Sequence, residues 1–219
     1  MPLSGNPILV TGAGGRLGRV VIRQLLEAGA RVVGLDAERP EGLPEGVEVL
    51  TADLTDEPSV RGAFDTAEQA VGAPHALVHT VGMWAGTPFA DTPLEGWQRV
   101  LDVNLTTAFL CFREAARRMT EGGRLVAIAS RQGVDGGVAE QAAYSAAKAG
   151  VVRLVEAVAA EYEGRITAAA VAPSKILFGS EGDGARGVPA EAVASLCVSL
   201  CGAGGAIHNG TVLRAYGTG

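Results

Sequence analysis

Tyr144 and Lys148, whose side chains could together transfer a proton, lie four positions apart in the stretch YSAAK. The segment around them, Ala142–Glu161, is rich in helix formers and repeats apolar residues at helical spacing, which predicts that the two side chains share one helix face. A neighbouring cation favours the phenolate form of a tyrosine and lowers its pKa from about 10. The pair is therefore a candidate acid/base device.

The alternative for this pair is a half-buried tyrosine beside a solvated lysine. Composition favours the functional interpretation, because 16 of the 18 basic residues are arginine and only Lys148 and Lys175 are lysine. An ammonium is a compact charge with three donors, so it can lie near a phenol and also bind a ligand hydroxyl. The sequence therefore indicates a specific need for lysine at position 148.

Apolar runs typical of strands alternate with segments of helical periodicity along the chain. The predicted strands are Ile8–Thr11, Arg31–Leu35, Val47–Thr51, Ala76–His79, Arg124–Ala129, Ile166–Val171 and Thr211–Arg214. The predicted helices are Leu17–Ala28, Pro58–Ala70, Leu94–Met119, Ala142–Glu161 and Pro189–Leu200. This alternation predicts an α/β fold, a doubly wound parallel sheet of about seven strands with helices on both faces, in a single domain over residues 1–219.

Composition excludes several classes of partner. The 219 residues are 47% hydrophobic and carry a net charge of −6 without a basic block, which gives no support for binding nucleic acid or an acidic membrane. No apolar run approaches the length of a membrane span, no signal peptide is visible, and the three cysteines lack metal-ligand spacing. We therefore predict a soluble cytoplasmic protein with buried cysteines, no metal site and a small-molecule substrate.

A glycine-rich turn follows the first predicted strand and opens the first predicted helix, with Gly12, Gly15 and Gly18 in TGAGGRLG. Such a turn lets the backbone approach a pyrophosphate, which the amides and positive dipole end of the helix then bind. Asp36 ends the second strand, where its carboxylate can accept the ribose hydroxyls of NAD and repel the 2′-phosphate of NADP. Arg16 could partly offset that repulsion, and a loop or capping carboxylate is the alternative for Asp36. NAD is the predicted cofactor, and NADP is the alternative.

Together these motifs resemble the short-chain dehydrogenase/reductase family over nearly the whole chain. The resemblance is carried by TGAGGRLG at 11–18, ADLTD at 52–56, HTVG at 79–82, VNLTTAF at 103–109, Ser130, YSAAK at 144–148 and VAPSKI at 171–176. It implies a Rossmann-fold NAD(P)-binding domain and an oxidoreductase that interconverts a carbonyl and a secondary alcohol.

The resemblance also implies roles for individual residues. Tyr144 would exchange the proton, Lys148 would bind the nicotinamide ribose, Ser130 would hydrogen-bond the substrate oxygen, and Asn104 would anchor a water relay to Lys148. Ser130 could instead be a strand-end hydroxyl bonded to backbone, and Asn104 a helix-kinking core residue. The implied cofactor-binding residues are Gly12, Gly15, Arg16, Leu17, Gly18, Asp36, Asp53, Leu54, Thr80, Val81, Gly82, Tyr144, Lys148, Pro173 and Ile176, with Asp53 and Leu54 at the adenine.

Three positions depart from the family pattern, since Thr80 replaces a usual Asn, Ser174 a usual Gly, and Phe178 a Thr that often binds the carboxamide. The stretch VGMWAGTPF at 81–89 is similar to dihydropteridine reductases, so Trp84 could stack on a planar heterocycle or instead be a buried or subunit-contact residue. A dinucleotide-binding sensor without turnover is a further alternative. Helices 94–119 and 142–161 carry apolar residues beyond what one sheet face needs, which predicts a homodimer or homotetramer.

Overall fold

Seven parallel strands form the central sheet in the computed structural model, which describes residues 3–120, 122–181 and 184–217. The strands are β1 Pro7–Thr11, β2 Arg31–Asp36, β3 Glu48–Thr51, β4 Ala76–His79, β5 Gly123–Ile128, β6 Ile166–Pro173 and, last in the chain, β9 Val212–Ala215. Their order is β3-β2-β1-β4-β5-β6-β9, and every pair is parallel. The predicted doubly wound single-domain α/β fold is confirmed, while its extent over residues 1–219 stays a prediction.

The central strands are buried on both faces, as their near-continuous apolar sequences predict. Ile8, Leu9 and Val10 of β1 are almost completely inaccessible, and β4 is buried along its whole length. The chain leaves β1 toward β2 on one side and later returns to β4 on the other. This reversal opens a crevice at the carboxyl ends of β1 and β4, the usual ligand position in such sheets.

Helices cover both faces of the sheet. They are α1 Arg16–Glu27, α2 Glu57–Val71, α3 Leu94–Leu101, α4 Thr107–Arg118, α5 Arg131–Val134, α6 Ala142–Glu161 and α7 Ala190–Cys201. Helices α1 and α7 bury apolar side chains against one face, and α2, α4 and α6 against the other. The three cysteines are buried in these layers, in agreement with core packing.

The prediction of one continuous helix from Leu94 to Met119 is wrong. A single turn of π-helix, Asp102–Thr106, separates α3 from α4. Asn104 lies in this turn, and its side-chain Nδ2 donates to the carbonyl of Val100 at 2.9 Å and to that of Met83, also at 2.9 Å. Side-chain bonding to the i−4 carbonyl competes with the regular helical ladder, and widened turns of this kind are frequent at functional sites.

Several short elements were not predicted. The two-residue strands β7 Ile176–Leu177 and β8 Val188–Pro189 pair with each other after β6, and 3₁₀ turns occupy Phe89–Asp91 and Ala203–His208. None of the helices in the described part of the chain combines the length and apolar character that crossing a bilayer requires.

Candidate active site

The glycine-rich turn joins β1 to α1 in a conformation that needs its glycines. Gly12 has a φ of 70°, and a Cβ at Gly18 would collide with the carbonyl oxygen of Gly12. Helix α1 has Gly15 at its N-cap and no side-chain cap, whereas Asp56 caps α2 through the amide of Ser59. The first amides of α1 therefore face outward without a side-chain partner, which fits a dinucleotide pyrophosphate.

One cleft of about 750 Å³ opens on the β2 and β3 side of this turn, and we name it the Asp36 cleft. It brings together Gly12, Gly15, Asp36, Asp53, Leu54, Thr80, Val81 and Gly82 from the residues predicted to bind the cofactor. These positions are separated by up to 70 residues in sequence, and the parallel sheet places all of them at its carboxyl edge. Their contact with a cofactor stays a prediction.

Asp36 holds the glycine-rich turn from the end of β2. Its Oδ2 accepts a hydrogen bond from the amide of Gly14 at 2.7 Å, and its Oδ1 accepts one from the amide of Ala37 at 2.8 Å. Arg19 and Arg39 line the same cleft, and Arg19 Nε donates to the carbonyl of Gly14 at 2.9 Å. Sequence reasoning missed both arginines, although Arg39 follows Asp36 by only three positions.

Arg16 does not line the Asp36 cleft, and its predicted role of partly offsetting phosphate repulsion there stays a prediction. Its guanidinium stacks 3.9 Å from the ring centroid of Phe178, donates to Ser180 Oγ at 3.0 Å and lies 3.7 Å from the Glu181 carboxylate. These contacts exist because the segment after β6 folds back across the beginning of α1. Phe178 thus provides a surface for Arg16 where the family often has a threonine.

A second cleft, of about 670 Å³, opens on the β5 and β6 side of the glycine-rich turn, and we name it the Tyr144 cleft. Predicted residues that line it are Arg16, Leu17, Asn104, Ser130, Tyr144, Lys148, Pro173 and Ile176. Thr80 and Gly82 line both clefts and so mark their junction. Gly18 lines neither, since it packs against Gly12 beneath the turn.

Tyr144 and Lys148 lie on one face of α6, as predicted, with Nζ of Lys148 at 6.0 Å from the tyrosine ring centroid. Burial lowers the pKa of Lys148 to about 8, and its Nζ donates to the carbonyl of Ile128 at 2.9 Å. Burial raises the pKa of Tyr144, and a hydrogen bond with Ser130 opposes this only in part. In this structure burial is the largest influence on the pKa of Tyr144, so the pKa is raised and not lowered as the sequence argument expected.

Asn104 is completely buried beside Lys148. Its Oδ1 accepts from the amide of Met83 at 3.2 Å, so the side chain fixes the loop after β4. A Cβ on Gly82 would lie 2.9 Å from this Oδ1 and 3.1 Å from Nζ of Lys148, which shows how closely both groups approach the loop. The water relay that Asn104 would anchor to Lys148 stays a prediction.

Residues 6–181 match the family described as short chain dehydrogenase. The chain belongs to the short-chain dehydrogenase/reductase family. It is therefore an NAD(P)-dependent oxidoreductase.

Individual short-chain dehydrogenase/reductases resemble the chain closely. It is 34% identical to an NADPH-dependent aldehyde reductase-like protein, chloroplastic, of Arabidopsis thaliana, covering 80% of this chain and 74% of that protein. It is 32% identical to the 3-oxoacyl-[acyl-carrier-protein] reductase MabA of Mycobacterium bovis, with 80% and 71% covered. A Burkholderia cenocepacia short chain dehydrogenase solved with NADP has a TM-score of 0.91 and 27% identity over 99% of this chain and 98% of that one.

Gln132 is a residue of the Tyr144 cleft that sequence reasoning missed in this short-chain dehydrogenase/reductase. Ser130 follows β5 at the N-cap of α5, and its Oγ donates to Gln132 Oε1 at 2.5 Å. Gln132 also lines the Tyr144 cleft. Its position two residues after Ser130 is the only sequence signal that could have indicated it.

Sequence reasoning also missed the structural role of His79. This fully buried ring at the end of β4 bonds Thr11 Oγ1 through Nδ1 at 2.8 Å and Thr107 Oγ1 through Nε2 at 3.2 Å. Burial, with a smaller contribution from the charge of Lys148, lowers the pKa of His79 to about 3. The neutral ring thus joins β1, β4 and α4.

Proposed function

We propose that this enzyme interconverts a carbonyl compound and a secondary alcohol with NAD(H), using Tyr144 as the acid/base. The observation that carries the proposal is the convergence of Ser130, Tyr144 and Lys148 in one cleft, next to a helix N-terminus that fits a pyrophosphate. Each side chain comes from a different part of the sequence or a different turn of α6, and each has a distinct chemical capacity.

The side chains suit the reductive direction as they stand. A bound nicotinamide dinucleotide supplies the hydride. The raised pKa keeps Tyr144 as a phenol at neutral pH, so its hydroxyl can give a proton to the substrate oxygen. The Ser130 hydroxyl, which donates to Gln132 Oε1 in this structure, would turn to donate to the substrate oxygen, and the Lys148 ammonium would stabilise the phenolate that remains.

We propose a preference for NAD over NADP at the Asp36 cleft. A carboxylate bonded to the amide of Gly14 is fixed where the ribose hydroxyls of an adenosine can reach it, and it repels a 2′-phosphate. Arg19 and Arg39 in the same cleft favour the phosphate, the Arabidopsis protein is named as NADPH-dependent, and the Burkholderia protein was solved in complex with NADP. We place more weight on Asp36 because Arg19 is already bonded to the carbonyls of Gly14 and Glu41.

The direct test mixes the purified protein with NADH or NADPH and a panel of aldehydes and ketones while the absorbance of the reduced nicotinamide is followed. We expect oxidation of NADH by at least one carbonyl and tighter binding of NADH than of NADPH. Binding of NADH without turnover of any carbonyl by the unmodified protein would favour the sensor alternative. Equal or tighter binding of NADPH would overturn the cofactor preference.

One observation favours a second candidate, a reductase of planar heterocycles similar to dihydropteridine reductases. Trp84 lines the Tyr144 cleft with 65% of its surface exposed, so its ring is available for stacking. NADH-dependent reduction of a quinonoid dihydropterin at a higher kcat/KM than any simple carbonyl would favour this candidate.

We further propose that the enzyme assembles as a homodimer or homotetramer through α3, α4 and α6. Leu94 and Phe109, on α3 and α4, are 70% and 44% exposed although they are large and apolar. Light scattering at micromolar concentration should therefore give a multiple of 22.3 kDa, and a single species of 22.3 kDa would contradict the proposal.

A further inference from the structure

The Tyr144 cleft has an unusual charge for this acidic protein. Its described lining contains three cations, Arg16, Lys148 and Lys175, and no carboxylate, while the whole chain carries a net charge of −6. Clustering of one sign of charge in a cleft raises the local concentration of ligands of the opposite sign. The cleft therefore favours an anion in addition to the nucleotide.

Two of these cations already have partners in the protein. Lys148 is buried and donates to the carbonyl of Ile128, and Arg16 is held by Phe178, Ser180 and Glu181. Lys175 is exposed, and within the described ranges its Nζ makes neither a hydrogen bond nor an ion pair. Of the three, Lys175 is the cation most available to a ligand.

The backbone of Lys175 is nevertheless fixed. Its carbonyl accepts from the amide of Val188 at 2.9 Å, and the neighbouring Ser174 donates from its amide to Ala215 at 3.1 Å and from its hydroxyl to Tyr216 at 2.8 Å. A Cβ on Gly187 would collide with the Lys175 carbonyl oxygen, so glycine is required for this close approach. Lys175 thus lines the cleft from a backbone that is fixed just after β6.

We propose that the substrate of the proposed reaction carries a carboxylate and that Lys175 binds it. This inference rests on the proposed function and names a substrate class for it, an oxo acid with an apolar or aromatic body. Trp84 and Phe178 line the same cleft and provide surfaces for that body. The lysine side chain is flexible, so its ammonium can reach carboxylates at different distances from the substrate carbonyl. The planar guanidinium of an arginine is suited to fewer of these geometries.

The test measures binding, so it does not depend on turnover. The protein saturated with NADH is titrated calorimetrically with benzoate and with its neutral isostere benzamide. We expect benzoate to bind about tenfold more tightly, the usual value of a hydrogen bond to a charged group, with a preference that declines as salt is added. Lys175→Gln should abolish the preference, Lys175→Arg should retain part of it, and both should bind NADH as the unmodified protein does.

Arg186→Gln is the matched control, because Arg186 is an exposed cation of the same segment that does not line the cleft. It should leave the preference unchanged. Absence of benzoate binding, equal binding of the two probes, or an unchanged preference in Lys175→Gln would overturn the inference. Weaker NADH binding in Lys175→Gln with the acid preference intact would assign Lys175 to the cofactor and overturn it as well.

A turnover assay separates this inference from the proposed function. The substrates are 4-acetylbenzoate, a ketone whose reduction gives a secondary alcohol, and its methyl ester, which lacks the negative charge. Reduction of both at equal kcat/KM would keep the proposed function and contradict the carboxylate site. Absence of turnover with both substrates and with every carbonyl of the panel, with the benzoate preference intact, would support anion binding by Lys175 and contradict the proposed reaction.

Discussion

The two clefts that meet at Thr80 and Gly82 have opposite charge. Four carboxylates and two arginines line the described part of the Asp36 cleft, whereas three cations and no carboxylate line that of the Tyr144 cleft. An anionic dinucleotide can use an acidic cleft only if its phosphates are bound elsewhere, and the uncapped N-terminus of α1 provides such a place. The Asp36 cleft offers the acceptors and backbone that ribose and adenine would need if the cofactor binds as proposed.

The pKa shifts of the ionisable groups in the two clefts also have different physical causes. In the Asp36 cleft, hydrogen bonds from Thr55 lower the pKa of Asp53 and so favour its charged form. In the Tyr144 cleft, burial disfavours charge, because it raises the pKa of Tyr144 and lowers that of Lys148 to about 8. Hydrogen-bonded fixed charges suit recognition, and desolvated groups with movable protons suit catalysis.

The strongest test of this division is Tyr144→Phe. Turnover should fall by about 10²–10⁴-fold, the usual contribution of positioned acid/base catalysis, while the Kd for NADH should stay unchanged because only a hydroxyl is lost. Steady-state rates and fluorescence titration measure the two quantities. Tyr162→Phe, at the C-terminal end of the same helix, is the control and should have normal activity. Turnover by Tyr144→Phe at the unmodified rate would show that the proton comes from another group.

Next in size is the effect of Asp36→Ala on cofactor choice. Loss of a charge-assisted acceptor should reduce the preference for NADH over NADPH by about tenfold to a hundredfold, measured as the ratio of the two Kd values. Glu38→Gln removes a carboxylate from the same cleft without removing the bond to Gly14, and it should change the ratio much less. Equal changes in both variants would mean that general charge, and not the position of Asp36, decides the preference.

The sequence was sufficient to predict features that depend on local periodicity. Alternating apolar runs and helical segments predicted the parallel sheet, and helix Ala142–Glu161 has the predicted bounds. The i,i+4 spacing was enough to place Tyr144 and Lys148 on one face, since helix geometry alone determines it.

Features that depend on contacts distant in sequence were not predicted. The π turn contains Asn104, whose side chain bonds the carbonyl of Met83, and only the fold brings that carbonyl near. The direction of the Arg16 side chain is decided by Phe178 and Ser180, more than 160 residues later in the chain. The pKa of Tyr144 depends on burial by several elements, so a sequence argument that considered only Lys148 predicted the wrong direction.

A smaller effect on kcat is expected from substitutions at Gln132. They test whether catalysis in the Tyr144 cleft also depends on fixed hydrogen bonds. Gln132→Leu removes the acceptor of the Ser130 hydroxyl and should lower kcat by about tenfold through a less ordered serine, with little change in the Kd for NADH. Gln132→Glu keeps an acceptor oxygen and should recover most of the rate. A rise in KM alone, with kcat unchanged in Gln132→Leu, would assign Gln132 to substrate binding and contradict its role in positioning Ser130.

The last effect concerns stability and depends on His79, the buried ring at the end of β4. His79 has a pKa of about 3 in the folded protein, against about 6.5 when unfolded, so the unfolded chain binds the extra proton between these values. Stability should therefore fall as pH decreases below about 6.5, by up to 1.4 kcal/mol per pH unit from this group. Urea unfolding at a series of pH values measures the slope. His79→Gln cannot titrate at this position and should reduce that slope, whatever its stability at neutral pH. An unaltered slope in His79→Gln would mean that the buried ring of the unmodified protein accepts a proton without disturbing its bonds to Thr11 and Thr107.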